Sequence, residues 1–273
     1  MPTSRRNFIA TIAGAALLPQ TLLALNESPL TAHVDADTEA DRDLQKILTE
    51  LPHARPHMQR MKDACDKYAS IYPLPLVLPA KVQAIESGYN PDAISVSYAV
   101  GGAQFMPYTA RELGANLPPE NEFEAQKDVL KLRRRYGRRI GNAVEAFRDG
   151  DDIRAKNLRA EAETVKTRLD KLHEATMADF KKRMFAMSPE ERRAYDQRFD
   201  PATSDDMLVH YLAKLARSVK RGLGIDNKAD ILLLAGVAYN AGPGRVKRKP
   251  GIPVIAQNVE YANKIMLFQT LDL

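Results

Sequence analysis

Residues 84–114 read Ala84-Ile85-Glu86-Ser87-Gly88-Tyr89-Asn90-Pro91-Asp92-Ala93-Ile94-Ser95-Val96-Ser97-Tyr98-Ala99-Val100-Gly101-Gly102-Ala103-Gln104-Phe105-Met106-Pro107-Tyr108-Thr109-Ala110-Arg111-Glu112-Leu113-Gly114. Just upstream, Pro79 suits a first helical turn, where its missing N–H costs nothing. Leu78, Val82 and Ile85 recur at helical spacing and predict an apolar helix that Gly88 and Asn90-Pro91 stop. Glu86 then stands in the last turn, beside the buried face. The carbonyl end of a helix carries partial negative charge, and apolar neighbours disfavour ionisation, so both raise a carboxyl pKa. A general acid working near neutral pH needs that shift. A solvated glutamate at a helix end is the plain alternative, and local spacing alone does not separate the two.

The chain around this stretch has 273 residues, enough to bury a full core as one large domain or two small ones. Apolar content of 44% and charged content of 27% exclude a disordered chain. The net charge of +5 favours an anionic partner such as wall polymer, lipid head groups or nucleic acid, though solubility accounts for it equally. A single cysteine, Cys65, forbids an internal disulfide, and no Cys/His cluster has zinc spacing. With no tryptophan, any sugar-stacking platform must use Tyr or Phe.

Residues 1–28 read as a targeting segment. Arg5-Arg6 precede a mildly apolar run that is too short and weak for a membrane span and fits a cleavable export signal. The paired arginines before Phe8-Ile9 resemble a twin-arginine signal, with an ordinary secretory signal or an uncleaved anchor as the alternative. Either way the expected location is exported or periplasmic. Residues 29–40 read as a linker. Helices are expected over Asp41–Leu51 and Pro56–Ile71. Between Leu117 and Phe199, apolar residues three and four apart run from Val129 to Phe147 and again from Leu158 to Met184. Asp149-Gly150-Asp151-Asp152 breaks the run. This pattern predicts a long antiparallel helical hairpin, its second arm reaching roughly 50 Å. Its basic runs, such as Arg133-Arg134-Arg135, are interspersed with acids and read as a solvated surface or a face for polymer or protein. The export signal and lack of aromatic interleaving argue against nucleic acid. A helix opening at Asp205 and ending near Gly222 precedes a strongly apolar one, Ile231–Tyr239.

Glu86-Ser87, Ser95, Gly101-Gly102-Ala103-Gln104-Phe105-Met106-Pro107 and Thr109-Ala110 resemble the lytic transglycosylases of the lysozyme-like fold. Ala238-Tyr239-Asn240-Ala241-Gly242-Pro243-Gly244 is similar to a second motif of that family, and Tyr261 to a third. Tyr98 stands where the family has glycine, and Gly102-Ala103 replace Leu-Met. The resemblance covers 75–114 and 200–265. It implies an all-α, lysozyme-like (SLT-type) catalytic domain formed by 41–118 and 199–273, with an inserted hairpin at 119–198.

The resemblance also implies the chemistry. Glu86 would act as sole acid and base, cleaving between N-acetylmuramic acid and N-acetylglucosamine in peptidoglycan to leave a 1,6-anhydro end. Ser95 and Tyr239 would orient Glu86 or the substrate's acetamido group. Gln104 would contact sugar or peptide, Tyr261 would line the cleft, and Asn240 would hold its turn. No metal or organic cofactor is needed. A two-carboxylate glycosidase would need a second acid, for which Asp92 and Glu112 are candidates that read as surface groups. The rivals are a goose-type lysozyme hydrolase and a non-catalytic wall-binding or assembly protein. A protein partner recruited through the hairpin is a further expectation.

Overall fold

A computed structural model describes residues 36–248 and 256–267, and these form eleven α-helices, several opened by a proline and three closed by a glycine at positive φ. The segment read as a signal at 1–28, and the linker as far as 35, lie outside the described residues. The chain divides into Met1–Glu39 and Ala40–Leu273, and the second unit holds the main core, the hairpin and the cleft. No strand forms among the described residues, only isolated bridges within 94–105, so the all-α expectation holds. No helix among them is long and apolar enough to cross a membrane.

Helix α1 (Ala36–Glu50) starts inside the stretch read as linker. With α2 (Arg55–Tyr68), α3 (Val77–Ser87), α8 (Pro201–Leu223), α9 (Lys228–Ala241) and α11 (Ala256–Leu267) it surrounds the main core, where Ile47, Met61, Val82, Leu208, Leu212 and Val237 are fully buried. Each such aliphatic side chain contributes about 1.5–3 kcal/mol. Cys65 is buried here as a free thiol, and burial pushes its pKa up to about 11, so it is inert.

Helix α8 begins at Pro201, before the expected Asp205, because Asp200 caps it by accepting from the Thr203 amide at 2.8 Å. It ends one residue past the expected Gly222, at Leu223, where Gly224 takes the left-handed cap. Asp205 is therefore inside the helix and fully buried. Its carboxylate receives Arg60 Nε at 2.7 Å, Gln83 Nε2 at 3.0 Å and the His57 ring at 2.8 Å. A buried charge persists only when paired and hydrogen-bonded in this way. The network ties α2 and α3 to α8.

The hairpin consists of α5 (Glu124–Arg148) and α6 (Asp152–Ala186), joined at Gly150 (φ +78°) and capped by Asp151, which accepts from the Arg154 amide at 3.0 Å. At 1.5 Å per residue α6 is about 50 Å long. Its outer half packs through Ala143, Ala146, Ala155 and Ala162, whose small side chains let the arms approach closely. Its inner half carries Val129, Leu169, Phe180 and Met184. These form a second core with Tyr98 and Val100 from the opening stretch and with Phe199. Helix α7 (Pro189–Tyr195) follows, opened by a capping box between Ser188 and Glu191.

Candidate active site

Helix α3 delivers Glu86. Gly88, at φ +59°, ends the helix, and its amide reaches Ala84 O at 2.9 Å. Tyr89 follows at φ +64°, is buried, and donates its hydroxyl back to Ala80 O at 2.8 Å, so the reversed chain is strapped onto the helix it has just left. Glu86 itself is half-buried. The Tyr261 hydroxyl of α11 donates to its Oε1 at 2.7 Å. Burial pushes the carboxyl from its ordinary 4.5 up to about 7, against the opposing pull of that hydrogen bond.

Opposite α3 stands a folded loop, residues 93–106. Val100 and Phe105 exchange both backbone bonds at 3.1 Å, and the Gly101 amide donates to Ala93 O at 2.9 Å. Two glycines make its approach possible. Gly101 is at φ +81°, and a Cβ there would lie 1.8 Å from Arg198 O; one on Gly102 would lie 2.4 Å from Gln83 Nε2. Brought this close, the Gly102 carbonyl accepts Ser87 Oγ at 2.6 Å and the Ala103 carbonyl accepts Tyr239 Oη at 2.5 Å. The wall is thus pinned to the residue after the acid and to α9.

Three rings back this arrangement: Tyr239 lies 5.7 Å from Phe105 and 5.6 Å from Tyr211, centroid to centroid. Burial, with the Glu86 charge adding, holds the pKa values of Tyr239 and Tyr261 well above their ordinary range. Both phenols therefore remain protonated donors. Helix α11 comes close enough to present Tyr261 because Gly236 on α9 leaves room for Ile265; a Cβ there would meet Ile265 Cδ1 at 2.5 Å.

The residues singled out in the sequence occupy different places. Tyr261 touches Glu86 directly, and Tyr239 holds the wall carbonyl beside it. Ser95 Oγ accepts the Ser97 and Ala99 amides at 3.2 and 3.0 Å, and Gln104 Nε2 donates to Gly101 O at 2.8 Å and Ala93 O at 3.2 Å. Both brace the loop from within. Asn240 is exposed in the last turn of α9. Of the candidate second acids, Asp92 is paired with Arg192 at 2.7 Å, and Glu112 is exposed beside the Tyr108 hydroxyl.

Sequence reading missed Arg198. Fully buried, it grips Asp196 at 2.6 Å and donates to the carbonyls of Tyr98 (3.3 Å) and Phe105 (3.1 Å), so it holds the wall at two points. An arginine in a charged run gives no sign of this. Among the described residues no group of three or more His, Cys, Asp or Glu could hold a metal ion.

Residues 63–164 match the family model described as "Transglycosylase SLT domain". The match takes in Glu86, Ser95 and Gln104, continues through α5 into α6, and stops short of Tyr239, Asn240 and Tyr261. No curated protein and no solved structure matches the chain. Together with the all-helical architecture, the match supports a lysozyme-like SLT domain, a transglycosylase-type enzyme unit whose substrate is peptidoglycan.

Proposed function

We propose that the protein is a lytic transglycosylase that cleaves the β-1,4 bond between N-acetylmuramic acid and N-acetylglucosamine in peptidoglycan. The observation that carries this is Glu86, a carboxyl lifted to about 7 and held through one oxygen by the Tyr261 hydroxyl. Near neutral pH much of it is protonated, and it gives that proton to the glycosidic oxygen as the bond to C1 breaks. The substrate's own 2-acetamido oxygen closes on C1 and spreads the developing positive charge. Glu86, now a carboxylate, takes the proton from the C6 hydroxyl. The C6 oxygen then displaces the acetamido group at C1. The product is a 1,6-anhydro end, the acid regains its proton, and no water is consumed, which makes the reaction a lyase step.

A single-acid route is supported by how the neighbouring carboxylates are occupied, Asp92 by Arg192 and Glu112 at the exposed end of its helix. Tyr261 acts as the group orienting Glu86. Tyr239, Ser95 and Gln104 set the shape of the wall that faces the sugar, and Asn240 is open to contact with the glycan. The twin-arginine-like segment and the net positive charge suit an exported enzyme that meets an anionic wall polymer. The hairpin extends well away from the cleft and offers a surface for a recruiting protein.

Digesting purified peptidoglycan and weighing the released muropeptides tests the reading. Anhydro ends, lighter than reducing ends by one water, are expected from the wild type and should vanish in Glu86→Gln. Mostly reducing ends would mean a goose-type hydrolase. Wall clearing that survives Glu86→Gln would remove Glu86 as the acid, and no product from the wild type would leave a wall-binding protein.

A further inference from the structure

One face of α5 carries charges that find no partner inside the chain. Val129, Ala143 and Ala146 are buried on the inner side of the helix, while Arg134, Gly137, Arg138, Gly141 and Glu145 are exposed. Steps of four, three and four lead from Arg134 through Arg138 and Gly141 to Glu145, which puts them on the side away from α6, with Gly137 one turn before Gly141. Elsewhere on the hairpin, cations meet acids of the same chain: Lys131 with Asp128, Arg139 with Glu161 across the two arms, Lys166 with Asp170, Arg183 with Asp179. Among the described residues, Arg134, Arg138 and Glu145 form no ion pair and no side-chain hydrogen bond.

The backbone between these charges is bare. Glycine is the least favourable helix residue after proline, because it gives up the most freedom on folding. At Gly101, Gly102 and Gly236 the chain's own packing requires it, since a Cβ would lie 2.5 Å or less from a neighbour. At Gly137 and Gly141 a Cβ would meet nothing within 4 Å. The face therefore reads cation, bare backbone, anion along the helix, and such a sequence is complementary to itself reversed.

We propose that this face of α5 is the contact between two copies of the chain, crossing antiparallel about a two-fold axis at Gly137 and Gly141. At 1.5 Å per residue, Glu145 lies about 9 Å beyond the midpoint of the two glycines and Arg134 about 7.5 Å before it. Reversing one helix brings Glu145 of each copy level with Arg134 of the other, to within about one residue's rise. The symmetry makes the pair twice. Gly137 of one copy faces Gly141 of the other, the backbones approach closely, and the Arg138 stems cover them. A parallel crossing is excluded, because it sets Arg134 on Arg134 and Glu145 on Glu145. In the antiparallel one the tip at Gly150 falls level with Asp128 of the second copy, so the contact stays within the hairpins. The two α5 starts then stand roughly 45 Å apart, and one dimer carries two separate catalytic units. A single helix pair is a small interface, below about 1,200 Å², so the dimer is weak and concentration-dependent.

Sedimentation velocity of the full chain from about 1 to about 200 µM should show a monomer–dimer equilibrium, weakened by raising salt from about 50 to about 500 mM. Arg134→Glu and Glu145→Arg should each raise the Kd at least about tenfold. Both together should restore it to within about threefold of the wild type, since the pair is only turned round. Lys181→Glu, the same charge change at an exposed position on α6, should leave it unaltered. Gly137→Gln with Gly141→Gln should raise the Kd at least about tenfold without lowering Tm, because Gln favours the helix and only the close approach is lost. A chain that stays monomeric over the whole range would overturn the proposal, including one whose arginines bind phosphatidylglycerol vesicles instead. So would a charge-exchanged double variant no better than its singles, an unchanged dimer after both glycine replacements, or an assembly that grows past two. None of these readouts uses the enzymatic activity, so the contact and the reaction fail separately.

Discussion

Replacing Glu86 with Gln should abolish the reaction and at the same time make the protein more stable, but only at high pH. In the folded chain the Glu86 carboxyl keeps its proton up to about pH 7, whereas an unburied one loses it near 4.5. Between those values the folded state binds more protons than the unfolded state, so stability falls as pH rises from about 4.5 and the loss is complete above about 7. At about 1.4 kcal/mol per pH unit, the gap corresponds to roughly 3 kcal/mol. Gln cannot ionise, fits the same space and still offers an oxygen to the Tyr261 hydroxyl. Urea unfolding at about pH 4.5 and about pH 8.5 should therefore show no difference between variant and wild type at the lower pH. At the higher pH the variant should gain about 3 kcal/mol, or roughly 6–12 °C in Tm for a domain of this size. Every other titrating group is common to both proteins and cancels. A stability difference that stays the same at both pH values would refute the claim that Glu86 is held protonated by its surroundings.

Tyr261→Phe removes the hydrogen bond that opposes the upward shift, so the falling limb of the kcat/KM profile should move to higher pH while kcat drops; a downward move would mean that Tyr261 does not contact the acid. Gly101→Ala should cost more than about 3 kcal/mol in denaturant titration, since the added carbon meets the Arg198 backbone, whereas Gly114→Ala, also at positive φ but with open space around it, should cost only about 1–2 kcal/mol. Comparable losses at the two sites would show that the loop can back away from Arg198. Arg198→Met leaves Asp196 charged and buried and should destabilise by about 3–5 kcal/mol. The double replacement Arg198→Met with Asp196→Leu should recover part of that loss, and a double variant no better than the single would assign the cost to the wall carbonyls instead.

The helices were legible because their signals are local. Pro79 and Leu78, Val82 and Ile85 place α3, and Asp149-Gly150-Asp151 places the hairpin turn, both from spacing within one or two turns. The site was legible in part: Glu86 from its own helix, Tyr239 and Tyr261 only through the family's motif order. The residues that escaped depend on contacts across the fold. Asp205 looks like a helix-opening acid until α2 and α3 surround it, and Arg198 looks like a surface cation until the wall loop closes over it. Ser95, carried over as orienting Glu86 or the acetamido group, and Gln104, carried over as a contact to sugar or peptide, also bond the loop's own backbone through Oγ and Nε2, which spacing along the chain cannot show.

Tyr98 links the two halves of the protein. It occupies a left-handed position, φ +65°, where glycine costs nothing and a phenol costs about 1–2 kcal/mol. The offset lies in its burial: the ring is fully enclosed, tilted against His173 at 5.8 Å and edge-on to Phe180 at 6.3 Å, both on α6. The same arm sends the His173 ring to Val96 O at 2.8 Å, and α5 sends Arg133 to Ser97 Oγ at 2.6 Å and Val96 O at 3.0 Å. A glycine at 98 would relieve the backbone and remove the ring that packs against α6. The loop that holds Tyr98 also holds the Gly102 and Ala103 carbonyls that accept Ser87 Oγ and Tyr239 Oη, so the hairpin packs directly on the segment that stands beside Glu86.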